Sequence, residues 1–139
     1  MLALTTTTVV LFFSLTVTTA TPAQLFILND AIISHGGRCL DGSPPGVYVR
    51  DTHPGNPFII AQDGGGWCYN ETDCYDRSLT ALGSSKSWPT TRYGTGLEDD
   101  NCTNNPTFCS FNVALLPYCD GNVRVATSLT YMQPSQTPC

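Results

Sequence analysis

Gly64, Gly65 and Gly66, followed by Trp67 and Cys68, are the residues of this chain best suited to chemistry. Glycine reaches backbone torsions that other residues avoid, so successive N–H groups can turn together into a cleft. Converging N–H donors are what acyl transfer needs where negative charge develops on a carbonyl oxygen. The competing reading is a glycine-rich turn with no chemistry, a common loop composition.

Cysteine is the second residue type with chemical weight. Seven of them (Cys39, Cys68, Cys74, Cys102, Cys109, Cys119 and Cys139) point to an oxidising compartment where disulfides persist. Zinc needs regular ligand pairs; with no C-x2-C pair, and only His35 and His53 to help, no metal site is expected. No cofactor is expected either. Cys68 and Cys74 bracket five residues and Cys102 and Cys109 bracket six, so each pair could tie off a short loop. Asn70-Glu71-Thr72 and Asn101-Cys102-Thr103 are glycosylation acceptor sequences, which fits a secreted chain. Glu98-Asp99-Asp100 reads as a solvated acidic edge without the ligand spacing of a calcium loop.

Those residues need elements to position them. Residues 58–61, Phe-Ile-Ile-Ala, form a short unbroken apolar run that reads as a buried strand leading into the glycines. Residues 111–117, FNVALLP, give a second such strand, and Val47 to Val49 a brief third. Strands apolar on successive residues belong in a parallel sheet covered by helices on both faces. Residues 24–34, QLFILNDAIIS, fit a strand or a short helix equally well, and residues 77–85 read as a weak helix capped at Gly83. His35-Gly36-Gly37 has the composition of an oxyanion loop but sits close to the start of the folded region.

The first 29 residues carry no charge, and Val9 to Val17 is an apolar core of signal-peptide length, with cleavage expected after Ala20. That core is too short to span a membrane, so no span is expected in the mature chain. Residues 122–139 read as a disordered tail, with Cys139 odd in number and available for an intermolecular disulfide. The 139 residues carry 12% charged and 41% hydrophobic side chains, which fits one globular domain at 21–121. A net charge of −5 argues against a nucleic-acid partner.

Three blocks, in order, resemble one family. CLDGSPPGVYVR at 39–50, FIIAQDGGGWCYNETDC at 58–74 and NVALLPYCDG at 112–121 are similar to the pectin acetylesterases and the related Notum carboxylesterases. LGSS at 82–85 and WPTTRYGTG at 88–96 extend the similarity between the blocks. The resemblance implies the truncated N-terminal portion of an α/β-hydrolase-like fold, stabilised by disulfides, acting on acetylated polysaccharide or another carboxylic ester with a Ser-Asp-His triad. It implies an oxyanion hole built from Gly65 and Gly66, with Gly64 and Trp67 shaping the substrate cleft, and pairing of Cys39 with Cys119.

The chain departs from that pattern where catalysis would begin. None of its ten serines lies in a G-x-S-x-G elbow; Gly83-Ser84-Ser85-Lys86-Ser87 fails at its last position. Both histidines precede the glycine turn, whereas such folds supply the histidine last. Two functions therefore stand: an ester hydrolase carrying half of its site, or a non-catalytic secreted glycoprotein that binds polysaccharide or a protein partner. In the second, Trp67, Tyr69 and Trp88 could stack on sugar rings.

Overall fold

The computed structural model describes residues 20–31 and 36–122. Residues 1–19 of the leader expected to end at Ala20, His35, and residues 123–139 of the expected tail, with Cys139, lie outside the described residues. Among the described residues these elements follow in order: β1 (Ala23–Ile27), β2 (Gly46–Arg50), β3 (Phe58–Gln62), α1 (Glu71–Ser78), β4 (Thr91–Arg92) and β5 (Asn112–Leu116). A single 3-10 turn at Gly96–Glu98 lies between β4 and β5. The strands form one sheet in the order β3-β5-β2-β1-β4.

The sheet is mixed. Only β3 and β5 are parallel; β5, β2, β1 and β4 pair antiparallel in succession. The two apolar runs, β3 and β5, lie parallel to each other as expected, but the rest of the sheet they join is antiparallel. Apolarity records what a strand can bury, whereas strand direction is set by the connections. The long link from β3 to β5 permits a parallel crossover, while the linker of residues 28–45 brings β2 back antiparallel to β1.

Register divides the side chains into two faces. Leu25, Tyr48, Leu115 and Ala61 stand in one row across β1, β2, β5 and β3, beside Ala23 and Val113. These residues form the hydrophobic core. The Tyr48 hydroxyl, which would be costly to bury alone, donates to the Pro89 carbonyl at 2.7 Å. The other face carries Phe26, Val47, Val49, Ala114, Ile60 and Phe58. Ile60 is 71% exposed and Phe58 47%, so β3 is not buried on both sides as its sequence suggests. It is an edge strand whose second face is open.

Asn112 closes the β2–β3 turn against β5. Its Oδ1 accepts from the N–H groups of Thr52 and His53, and its Nδ2 donates to the carbonyls of His53 and Asn56. Residues 24–34 resolve as β1 followed by helical backbone at 29–31, where the described segment stops. The helix expected over 77–85 lies earlier. Asn70 accepts from the Asp73 N–H at 2.8 Å and caps α1, with Glu71 and Asp73 in the first turn and Arg77 in the last, all favourable to the helix dipole.

Disulfides join Cys39 to Cys119, Cys68 to Cys74 and Cys102 to Cys109. The first closes a span of 80 residues and ties the turn before β2 to the segment after β5. Among the described residues no helix is long and apolar enough to cross a membrane.

Candidate functional site

The glycine turn starts where β3 ends. Asp63 donates its N–H to the Leu116 carbonyl of β5, and its carboxylate takes a bidentate grip from Arg92 of β4. The chain thus leaves the sheet from a fixed point. Arg50 lies buried on the core face, and its charge acts with that of Arg92 on Glu98. Burial pushes the Glu98 carboxyl up while both arginines pull it back. The acidic stretch is engaged rather than merely solvated: Asp99 accepts from Asn101 and Asn104, and Asp100 from the Thr21 N–H.

Beyond Asp63, each glycine has its own physical setting. A methyl at Gly65 would lie 2.2 Å from Tyr118 Cδ1, inside the ring's contact surface. Gly66 has φ +69°, the left-handed region that costs any other residue. At Gly64 the space is open and the torsions are ordinary.

Three carbonyls of this turn are tied down. Arg77, in the last turn of α1, donates through Nη1 to the Gly65 carbonyl and through Nη2 to the Trp67 carbonyl at 3.5 Å. Tyr118, just after β5, donates its hydroxyl to the Gly66 carbonyl at 2.8 Å. The guanidinium carbon of Arg77 lies 6.0 Å from the centre of the Tyr118 ring. Burial raises the Tyr118 hydroxyl pKa, with Arg77 opposing, so the phenol stays a donor at neutral pH. The Cys68–Cys74 disulfide fastens the end of the turn to α1, and Cys68 donates its N–H to the Gly121 carbonyl at 3.0 Å.

The consequence follows from peptide planarity. In a trans peptide, C=O of one residue and N–H of the next point in opposite directions, and the described residues contain no cis bond. Holding the Gly65 and Gly66 carbonyls back therefore turns the N–H groups of Gly66 and Trp67 the other way. Neither N–H, nor that of Gly65, donates to any described residue. Trp67 itself is 62% exposed beside them. Arg77 and Tyr118 went unsuspected in the sequence, because they lie 10 or more residues from the glycines on other elements.

The second polar cluster is a brace. Asp41 accepts from Ser43 through both N–H and hydroxyl, from Ser84 at 2.7 Å, and pairs with Lys86 at 3.0 Å. Burial alone would raise its carboxyl, but these donors together hold it down at about 2. Ser85, the serine nearest to an elbow pattern, is buried and donates to Ser43 at 3.1 Å. No described histidine stands beside it: His53 belongs to the β2–β3 turn on Asn112. An open cavity of about 600 Å³ adjoins this brace and is walled by Leu25, Ile27 and Trp88. Gly64, Gly65 and Gly66 do not line it.

Asn70 and Asn101 are both exposed. Each uses its Oδ1 internally, Asn70 as the helix cap and Asn101 to accept from the Thr103 N–H, while Nδ2 of neither is engaged. Among the described residues no group of histidines, cysteines or carboxylates could hold a metal ion.

Comparison with known proteins identifies the family. A family model described as Pectinacetylesterase matches residues 16–131. Palmitoleoyl-protein carboxylesterase NOTUM of Mus musculus is 36% identical over 87 residues, 61% of this chain and 17% of that protein. Pectin acetylesterase 5 of Arabidopsis thaliana is 32% identical over 96 residues, 68% of this chain and 22% of that protein. Inactive palmitoleoyl-protein carboxylesterase notum1b of Danio rerio is 33% identical over 102 residues, covering 72% of this chain and 70% of that protein. The chain thus spans about a fifth of the first two and more than two thirds of the third.

Proposed function

The chain belongs to the pectinacetylesterase family, and on that premise we propose that it is a secreted glycoprotein carrying the oxyanion half of a carboxylic-ester site without its own nucleophile. The observation that carries this reading is the clamped turn, where backbone N–H groups of Gly65, Gly66 and Trp67 stay unengaged beside the exposed Trp67 side chain. Such donors stabilise a tetrahedral oxyanion, and losing one typically costs about 2.7–4 kcal/mol. They supply no covalent step by themselves, because acyl transfer also needs an activated nucleophile and a base. Acetylated polysaccharide, or another carboxylic ester, is the ligand class. The three disulfides and the free Nδ2 atoms of Asn70 and Asn101 support passage through an oxidising secretory route.

The test is an activated acetate ester offered to the purified chain beside a Gly65→Val control. Equal, background rates are expected for both. Turnover that titrates with a serine-directed phosphonate would reveal a nucleophile, with Ser85 the first to examine.

A second reading, a non-catalytic binding module, is favoured by the exposure of Trp67 and Tyr69 next to the turn and by the likeness to a protein described as inactive. Retention on acetylated polysaccharide that is lost in Trp67→Ala would support it.

A further inference from the structure

We propose that Arg77 and Tyr118 are positioning residues, each fixing a different oxyanion donor of the glycine turn. The inference rests on the oxyanion reading above and adds a division of labour to it. Tyr118 holds the carbonyl of Gly66, and through the planar peptide it sets the N–H of Trp67. Arg77 holds the carbonyl of Gly65 and so sets the N–H of Gly66. Its second contact, to the Trp67 carbonyl, sets the N–H of Cys68, which is already spent on Gly121.

The two clamps are built on separate scaffolds. Arg77 sits on α1, which the Cys68–Cys74 disulfide fastens to the turn. Tyr118 precedes Cys119, whose disulfide to Cys39 anchors the segment after β5. The Tyr118 ring also occupies the space a side chain at position 65 would need, so the same residue demands glycine there and orients its neighbour. A lysine at 77 keeps the charge, but as a point donor on a flexible stem it cannot reproduce a planar fork across two carbonyls. Phenylalanine at 118 keeps the ring and loses only the hydroxyl donor.

The experiment is a titration of the 15N-labelled, oxidised chain with sodium acetate and, separately, inorganic phosphate, following backbone amide shifts. In the wild type, the Gly66 and Trp67 amides should move downfield together, with half-saturation at about 1–10 mM as expected for a pair of charge-assisted hydrogen bonds. Arg77→Lys should weaken the Gly66 response tenfold or more. Tyr118→Phe should weaken the Trp67 response while Gly66 continues to respond. Unchanged core signals from Val113 and Leu115 would show that each variant is folded. Variants that respond like the wild type, or that lose both amides without selectivity, would overturn the assignment. A wild type whose amides stay still up to about 100 mM would instead remove the oxyanion reading, and the inference with it.

Discussion

A methyl group at Gly65 would overlap the Tyr118 ring, whereas one at Gly66 meets open space but sits on a left-handed backbone. Gly64 has neither restriction. Alanine substitutions should therefore separate three adjacent, chemically identical residues. Gly64→Ala is expected to change stability by no more than about 0.5 kcal/mol, Gly66→Ala to cost about 1–2 kcal/mol, and Gly65→Ala about 2–3 kcal/mol because the ring must move. Denaturant unfolding of the three variants checks the order. At Asp41 the expectation concerns pH. Its carboxyl is held down from 3.8 to about 2 in the folded chain, so its contribution is complete above about pH 4 and is lost as pH falls through 2. That contribution is on the order of 2 kcal/mol. Acid titration of Asp41→Asn against the wild type should show the difference in stability shrinking across that window, and a constant difference would count against the brace.

At the scale of elements, α1 owes its start to one side chain. Asn70 satisfies the Asp73 N–H, and Asn70→Ala should cost about 1 kcal/mol, whereas Asn70→Asp should cost little because a carboxylate caps as well as an amide. Thr72→Ala removes the glycosylation acceptor and leaves the cap, so a thermal melt of the three variants separates the two roles of Asn70. The position of this helix was not legible from periodicity, since its residues Glu71–Ser78 have only Cys74 buried. The cap pattern Asn-x-x-Asp was present in the sequence but was masked by the acceptor sequence it overlaps. By contrast, β2, β3 and β5 were legible, because three or four consecutive apolar or β-branched residues between turn clusters leave few alternatives.

For the whole molecule, the open face of the sheet is the dominant physical fact. Phe26, Phe58 and Ile60 are exposed on a side where Val47, Val49 and Ala114 are only half-buried. β3 also forms the sheet edge, so apolar surface and an unpaired strand edge coincide. The chain should bind a hydrophobic dye and associate with rising concentration. Ile60→Lys should reduce both while changing stability by no more than about 0.5 kcal/mol, because the side chain it replaces is already in water. Dye fluorescence and sedimentation check this; a wild type that neither binds dye nor associates would overturn it.

The sequence by itself determined the glycine turn after a strand, the short disulfide loops and the family to which the blocks point. Each is carried by short contiguous stretches or, for the family, by their order along the chain. Only the tertiary structure decided the sheet order, the antiparallel pairing of the other strands, which face of β3 stays bare and the clamps on the turn. Sheet order depends on which connections cross over, and a run such as Phe-Ile-Ile-Ala is equally apolar whether one face or two are covered. The clamps join Gly65 to Arg77 across α1 and Gly66 to Tyr118 across the sheet, separations of 12 and 52 residues. Neither Arg77 nor Tyr118 carries any mark in the sequence that it will meet a backbone carbonyl, since only folding brings the side chain and the peptide together.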